Sequence, residues 1–89
     1  MNLYWDYLIL KKWSKRKWLF ISTFAENLKK IRKSKKVSQR VVAQQLGYGY
    51  TAVANYESGR NEPSIDDLIK IADYFGVSMD LLVGREKNT

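Results

Sequence analysis

Apolar side chains recur at intervals of three and four residues along most of the chain after residue 22. Phe24, Leu28 and Ile31 repeat in this way until a polar run begins at residue 32. A longer apolar stripe follows, formed by Ile65, Leu68, Ile71, Ala72 and Phe75. This period is typical of one face of an α-helix, and nothing in this part alternates as a strand would. We therefore predict an all-α fold.

Capping residues divide the pattern into five predicted helices. Thr23 with Glu26 three residues later forms a capping-box pattern, which predicts the start of the first helix. Ser38, Ser64 and Ser78 are placed to cap the second, fourth and fifth helices, because a serine hydroxyl accepts hydrogen bonds from the free N–H groups of a helix start. Glycines follow the last four helices, where a left-handed residue ends a helix: Gly47, Gly59, Gly76 and Gly84.

The middle of the chain carries the spacing of a helix-turn-helix. Counting Gln39 as the first place, Ala43 is the fifth, Gly47 the ninth and Val53 the fifteenth. Two helices that cross at roughly 90 to 120° over a tight turn need a small residue where they approach and a residue of positive φ at the corner. They also need an apolar residue pointing back from the second helix. The third predicted helix, 50–57, then projects outward and can enter a major groove.

Charge indicates a polyanionic partner. The formal charge is +7, with 16 Lys and Arg against 9 Asp and Glu. Residues 24–60 hold eight cationic and two acidic side chains, whereas residues 61–89 hold three and six. A basic face turned toward nucleic acid or an anionic membrane is consistent with this segregation.

The composition disfavours an enzyme. The chain has no cysteine and no histidine, so it lacks a thiolate nucleophile, the usual general base and the commonest metal ligand. We expect no metal and no cofactor.

Five segments in order resemble the phage-repressor and Cro-like helix-turn-helix family, also called the XRE family. They are LKKIRKSKKVSQ, VVAQQLG, VANYESGRNEPS, LIKIADYFGVS and LLVG, within residues 24–84. The resemblance implies a five-helix, lambda-repressor-like domain that binds double-stranded operator DNA, usually as a homodimer on an inverted repeat. We expect a cytoplasmic transcriptional regulator that acts as a repressor. The alternatives are an antitoxin-type autoregulator, or a membrane-associated or protein-interaction module that uses residues 1–22.

The resemblance also assigns roles by position. Expected base contacts lie on the face of the third helix away from Val53: Tyr50, Thr51, Ala54 and Asn55. Expected phosphate contacts are Gln39, Arg40, Ser58 and Arg60, and Gln39 is also expected to brace the recognition helix. Gly49 stands where the family usually has a capping serine or threonine, so we expect this helix to begin less firmly.

Two further pairs follow from the family. Arg32 and Glu57 match an arginine and a glutamate that hold the scaffold together. Met79 and Leu81, on the last helix, are the apolar residues expected to have least to do in the core and to lie at a dimer interface.

Residues 1–22 lie outside the resemblance. This aromatic and basic extension has too few consecutive apolar residues for a transmembrane helix, because Lys11 interrupts its apolar run. An interfacial membrane helix, a strand pair used in dimerisation and translated upstream sequence without a role remain alternatives. An extra helix packed on the domain or a partner is favoured. The predicted organisation is this extension, a domain at 23–84 and a tail at 85–89.

Overall fold

The computed structural model describes residues 3–85, with side chains described from Leu19 onward. Within this range the chain forms five α-helices and no strand, which confirms the all-α prediction. The helices are α1 (Leu3–Ser34), α2 (Gln39–Gln45), α3 (Ala52–Glu57), α4 (Ile65–Phe75) and α5 (Met79–Val83). The membrane contact of residues 1–22, which was an alternative and not the favoured interpretation, falls mostly on residues 1–18, whose side chains lie outside the described part. Residues 86–89 of the predicted tail also lie outside it.

The first helix begins far earlier than the capping pattern predicts. Thr23 lies inside α1, which is continuous from Leu3, so the capping-box interpretation is wrong. No proline or glycine interrupts this segment, and Phe20, one turn before Phe24, packs against the core. Because apolar contact continues the helix past Thr23, its hydroxyl has no free helix start to cap. The segment from Leu3 to Ser22 is thus helical, but it extends α1 and does not form the extra, separate helix that was favoured for residues 1–22.

The three predicted serine caps are confirmed. The hydroxyls of Ser38, Ser64 and Ser78 accept hydrogen bonds from the third backbone N–H that follows each of them. The donor–acceptor distances are 3.1, 3.1 and 3.0 Å. Each cap satisfies an N–H group that has no partner within its helix, so these short helices begin at defined residues.

The core lies between α1 and the four shorter helices. Phe24, Leu28, Val42, Ile71 and Leu82 are fully enclosed. Further buried members are Ile31, Ala43, Val53, Tyr56, Leu68, Ala72 and Phe75. Ile65 is an exception to the predicted stripe, because it is the first residue of α4 and is 71% exposed. Periodicity alone therefore places Ile65 wrongly.

The corner between α2 and α3 has the predicted form. Gly47 has a φ of 73°, in the left-handed region that glycine adopts without a steric cost. The N–H of Tyr48 donates to the carbonyl of Ala43 at 2.8 Å, and the N–H of Gly47 donates to that of Gln44 at 3.2 Å. These two bonds form a Schellman motif, which ends α2 and turns the chain toward α3.

Candidate nucleic-acid interface

The candidate recognition helix, α3, starts two residues later than predicted. It begins at Ala52, so Tyr50 lies in the preceding turn, and Thr51 occupies the capping position without a side-chain hydrogen bond. The N–H of Ala52 donates to the carbonyl of Gly49 at 3.1 Å and closes that turn. A glycine at this place has no side chain to cap the helix, which accounts for the later start.

The expected base-contacting residues differ in exposure. Tyr50 is 69% exposed and Thr51 is exposed, while Ala54 and Asn55 are half-buried. Val53, between these pairs, is buried in the core. The outward surface at the start of α3 therefore consists of uncharged side chains, two of which project well into solvent.

Arg40 and Tyr50 form a stacked pair at the edge of this surface. The guanidinium carbon of Arg40, on α2, lies 4.0 Å from the centre of the Tyr50 ring. Both side chains are exposed. They border a shallow cleft of about 450 Å³ that is also lined by Val41, Gln44 and Tyr48. The family resemblance implies separate roles for the two residues, and no pattern in the chain signals their contact.

The end of α3 is held by an ion pair. Nε and Nη2 of Arg32 donate to the two carboxylate oxygens of Glu57 at 2.5 and 3.1 Å. The side chains are 11% and 3% exposed. Nε2 of Gln39 donates to the same carboxylate at 3.0 Å, so Glu57 joins α1, α2 and α3. The hydrogen bond from Arg32 to Glu57 raises the pKa of the Arg32 guanidinium, which therefore stays charged.

A second polar cluster, which sequence analysis missed, joins the turn and α3 to α4. The hydroxyls of Tyr48 and Tyr56 donate to the two carboxylate oxygens of Asp67, at 2.7 and 2.5 Å. These bonds, led by that of Tyr56, hold the pKa of the Asp67 carboxyl below its usual value. Burial, reinforced by the bond to Asp67, raises the pKa of both tyrosines. The only sequence signal was an aspartate three residues after a serine cap, which indicates a helix start rather than tyrosine partners.

The remaining expected phosphate contacts lie at the far end of α3. The hydroxyl of Ser58 and the backbone N–H of Arg60 both donate to the carbonyl of Asn55, at 3.1 and 2.9 Å. Both side chains are exposed. Arg40 and Arg60 therefore bracket the uncharged surface of α3 from its two ends. Three exposed lysines of α1 lie elsewhere on the surface, around a cleft shared with Glu26: Lys29, Lys30 and Lys33.

The residues expected at a dimer interface pack against the domain more than predicted. Met79 and Leu81 are half-buried and pack against the core. The side-chain amide of Asn27 donates to the carbonyls of Leu81 and Leu82, at 3.0 and 3.2 Å, so α5 is attached to α1. Both residues therefore take part in the packing of the domain, contrary to the expectation that they have least to do in the core.

Residues 28–82 match the family described as Helix-turn-helix. The chain therefore belongs to the phage-repressor and Cro-like helix-turn-helix family of DNA-binding transcriptional regulators. This confirms the family membership that the sequence motifs predict. It is 45% identical over 65 residues to the uncharacterized HTH-type transcriptional regulator YqaE of Bacillus subtilis (strain 168), and the matched region covers 73% of this chain and 56% of that protein. It is 38% identical over 60 residues to the cryptic phage CTXphi transcriptional repressor RstR of Vibrio cholerae, covering 67% and 54%.

A solved structure has the same architecture. The hypothetical transcription factor NHTF from Neisseria superimposes with a TM-score of 0.69 at 28% identity, covering 72% of this chain and 74% of that one. The chain spans about half the length of the curated relatives it matches. In the part that the structure describes, no helix combines the length and apolar character that crossing a membrane requires.

Proposed function

We propose that the chain is a sequence-specific, double-stranded DNA-binding transcriptional repressor that inserts α3 into the major groove of an operator. The observation that carries the proposal is the uncharged outward surface of α3, bracketed by the exposed Arg40 and Arg60. Uncharged polar and apolar side chains suit the reading of base edges, whereas arginines suit phosphates. The arrangement thus separates sequence reading from backbone attachment.

Each base-reading residue suits a particular contact. The amide of Asn55 matches the N6 and N7 edge of adenine, to which it binds in bidentate fashion. Thr51 offers a hydroxyl or a methyl group, Ala54 offers a methyl group for thymine, and Tyr50 offers a ring edge and a hydroxyl. The proposed phosphate contacts are Gln39, Arg40, Ser58 and Arg60.

The ion pair supports this function by fixing α3 on its scaffold. Because Glu57 is bonded to both Arg32 and Gln39, the end of α3 keeps one position relative to α1 and α2. A recognition helix must arrive in the groove with its base contacts in register, since a small displacement loses directional hydrogen bonds. The pair is thus a positioning element rather than a DNA contact.

Selection from a random pool of duplex DNA tests the proposal. The full chain should enrich one sequence, and its affinity should fall with a slope of about −0.9 in log salt for each phosphate neutralised. A pool that stays random after repeated rounds would refute sequence-specific binding. An affinity that does not change with salt would refute the phosphate contacts.

A homodimer on an inverted repeat is the proposed assembly. One recognition helix reads only a few base pairs, and two related by a dyad read half-sites roughly 34–36 Å apart. The loop after Gly76 and α5 are the proposed interface, with Met79 and Leu81 supplying the outer parts of their half-buried side chains. Such an interface is small, so we expect pairing mainly on DNA.

Sedimentation with and without the enriched operator tests the assembly. The wild type should bind as two copies, and Leu81→Glu should weaken the second copy while its melting temperature shows that it folds. Glu26→Ala, at an exposed position of α1 outside the proposed interface, is the control and should pair as the wild type does. One copy per operator for the wild type and Leu81→Glu alike, with equal affinity, would refute the dimer.

A further inference from the structure

We infer that Arg40 is a positioning residue for base recognition, which acts through Tyr50 in addition to any contact with phosphate. The inference rests on the proposed DNA binding and deepens it, because it makes Arg40 determine specificity as well as affinity. Its basis is the stack of the Arg40 guanidinium on the Tyr50 ring, 4.0 Å from the ring centre.

Tyr50 needs such support because its own segment restrains it weakly. It precedes α3, lies next to Gly49 and is 69% exposed. Thr51, the next residue, makes no side-chain capping bond. A side chain in this position loses rotamer freedom when it enters a groove, and that loss weakens binding unless the free protein already holds the bound rotamer.

Arg40 holds the ring from a part of the domain that is itself fixed in place. It projects from α2, whose start is defined by the Ser38 cap and whose buried Val42 and Ala43 attach it to the core. A guanidinium stacks on an aromatic face through its flat side, and its edge N–H groups remain free for a phosphate oxygen. One side chain thus orients the base-reading ring and contacts the backbone at the same time.

Loss of the contact between Arg40 and Tyr50 should differ from loss of a phosphate contact in how the effect depends on DNA sequence. Loss of a phosphate contact weakens binding to all DNA sequences alike, whereas loss of a positioned ring weakens binding to the preferred sequence selectively. The measured quantity is therefore the discrimination ratio, which is the affinity for the enriched operator divided by the affinity for a scrambled duplex of the same composition.

A double-mutant cycle between the two positions tests the inference. Arg40→Ala should lower the discrimination ratio by about two- to fivefold, the range that corresponds to an exposed cation–π contact. In a Tyr50→Ala background the same change should leave the ratio unchanged, since no ring remains to be positioned. Arg60→Ala is the matched control and should lower both affinities equally. Melting temperatures establish that each variant folds.

A measurement without DNA separates this inference from the proposed function. In the free protein the ring current of Tyr50 should shift the side-chain proton resonances of Arg40 upfield, and Tyr50→Ala should abolish the shift. Absence of the shift would overturn the stack. A shift together with an Arg40→Ala effect equal on both duplexes would overturn the positioning role. Failure to enrich any operator, with the shift present, would refute the proposed function and not the stack.

Discussion

Replacing Glu57 by alanine should destabilise the domain more than any surface substitution. The change removes three hydrogen bonds, two from Arg32 and one from Gln39. It also leaves the Arg32 guanidinium without its counter-ion in a site where the side chain is only 11% exposed. Breaking such a pair by removing one partner costs about 3–5 kcal/mol, because the remaining charge loses its counter-ion in a site shielded from water. The guanidinium keeps only its bond from Nη1 to the carbonyl of Val37, at 2.8 Å.

The size of that loss decides how it is measured. Small domains have total unfolding free energies of about 5–15 kcal/mol, so the variant should show a large fall in the urea midpoint. Glu26→Ala removes an exposed carboxylate from α1 and should change the unfolding free energy by no more than about 0.5 kcal/mol. The paired apolar replacement Arg32→Met with Glu57→Leu should recover most of the loss, because it leaves no buried charge.

Equal urea midpoints for Glu57→Ala and Glu26→Ala would refute the reasoning. That result would mean that the pair is hydrated in solution and that α3 is held by its apolar contacts alone. A change in the slope of the unfolding curve would indicate an altered denatured state, and the free energies would then not be comparable.

Three further outcomes are expected. Asp67→Asn should lower the free energy of unfolding at neutral pH and make that free energy depend less on acid. Because the pKa of Asp67 is lowered, its bonds to two tyrosine hydroxyls stabilise the fold above the unfolded pKa of about 3.9, and this stabilisation is lost as pH falls through the folded pKa. Unfolding free energies from urea curves that change in parallel for variant and wild type between pH 7 and pH 3 would contradict this. Asn55→Ala should cost about 1–3 kcal/mol on the enriched operator and little on scrambled DNA, whereas Arg60→Ala should weaken both alike, and equal losses for Asn55→Ala in filter binding would remove it from base reading. Gly76→Ala should cost about 1–2 kcal/mol of stability, because φ is 67° and the added Cβ has open space around it. Gly84→Ala should cost about 1–3 kcal/mol more, because its added Cβ would lie 2.3 Å from the methyl group of Thr23 on α1. Equal falls in melting temperature for the two variants would show that α1 shifts to make room for the added Cβ.

Continuity of α1 changes how truncations should be designed. A fragment that starts at residue 24 would cut the helix in its middle and remove Phe20, which packs against the core. Loss of DNA binding in that fragment would report destabilisation as well as any role of the extension. A fragment that starts at Leu19 keeps every described side chain and tests the removal of residues 1–18 alone.

The local features of the fold were determined by the sequence itself. Helical periods, three serine caps and the Gly47 corner depend on contacts between residues a few places apart, so their spacing is visible in the chain. The capping pattern at Thr23 predicts the wrong helix start because it spans only four residues. It carries no information on whether the preceding turn, which contains Phe20, also packs against the core.

The contacts between elements were decided only by the tertiary structure. The stack of Arg40 on Tyr50 and the bonds from Tyr48 and Tyr56 to Asp67 join different segments, and no periodicity encodes them. Their formation depends on the angle at which α2, α3 and α4 meet and on which rotamers the packed core leaves open. The contact between Arg32 and Glu57 and the bracing of the recognition helix by Gln39 were expected from family resemblance. The burial of the pair, and the fact that Gln39 and Arg32 share one carboxylate, follow from how α1, α2 and α3 pack, because side chains distant in sequence meet only where the backbone brings them together.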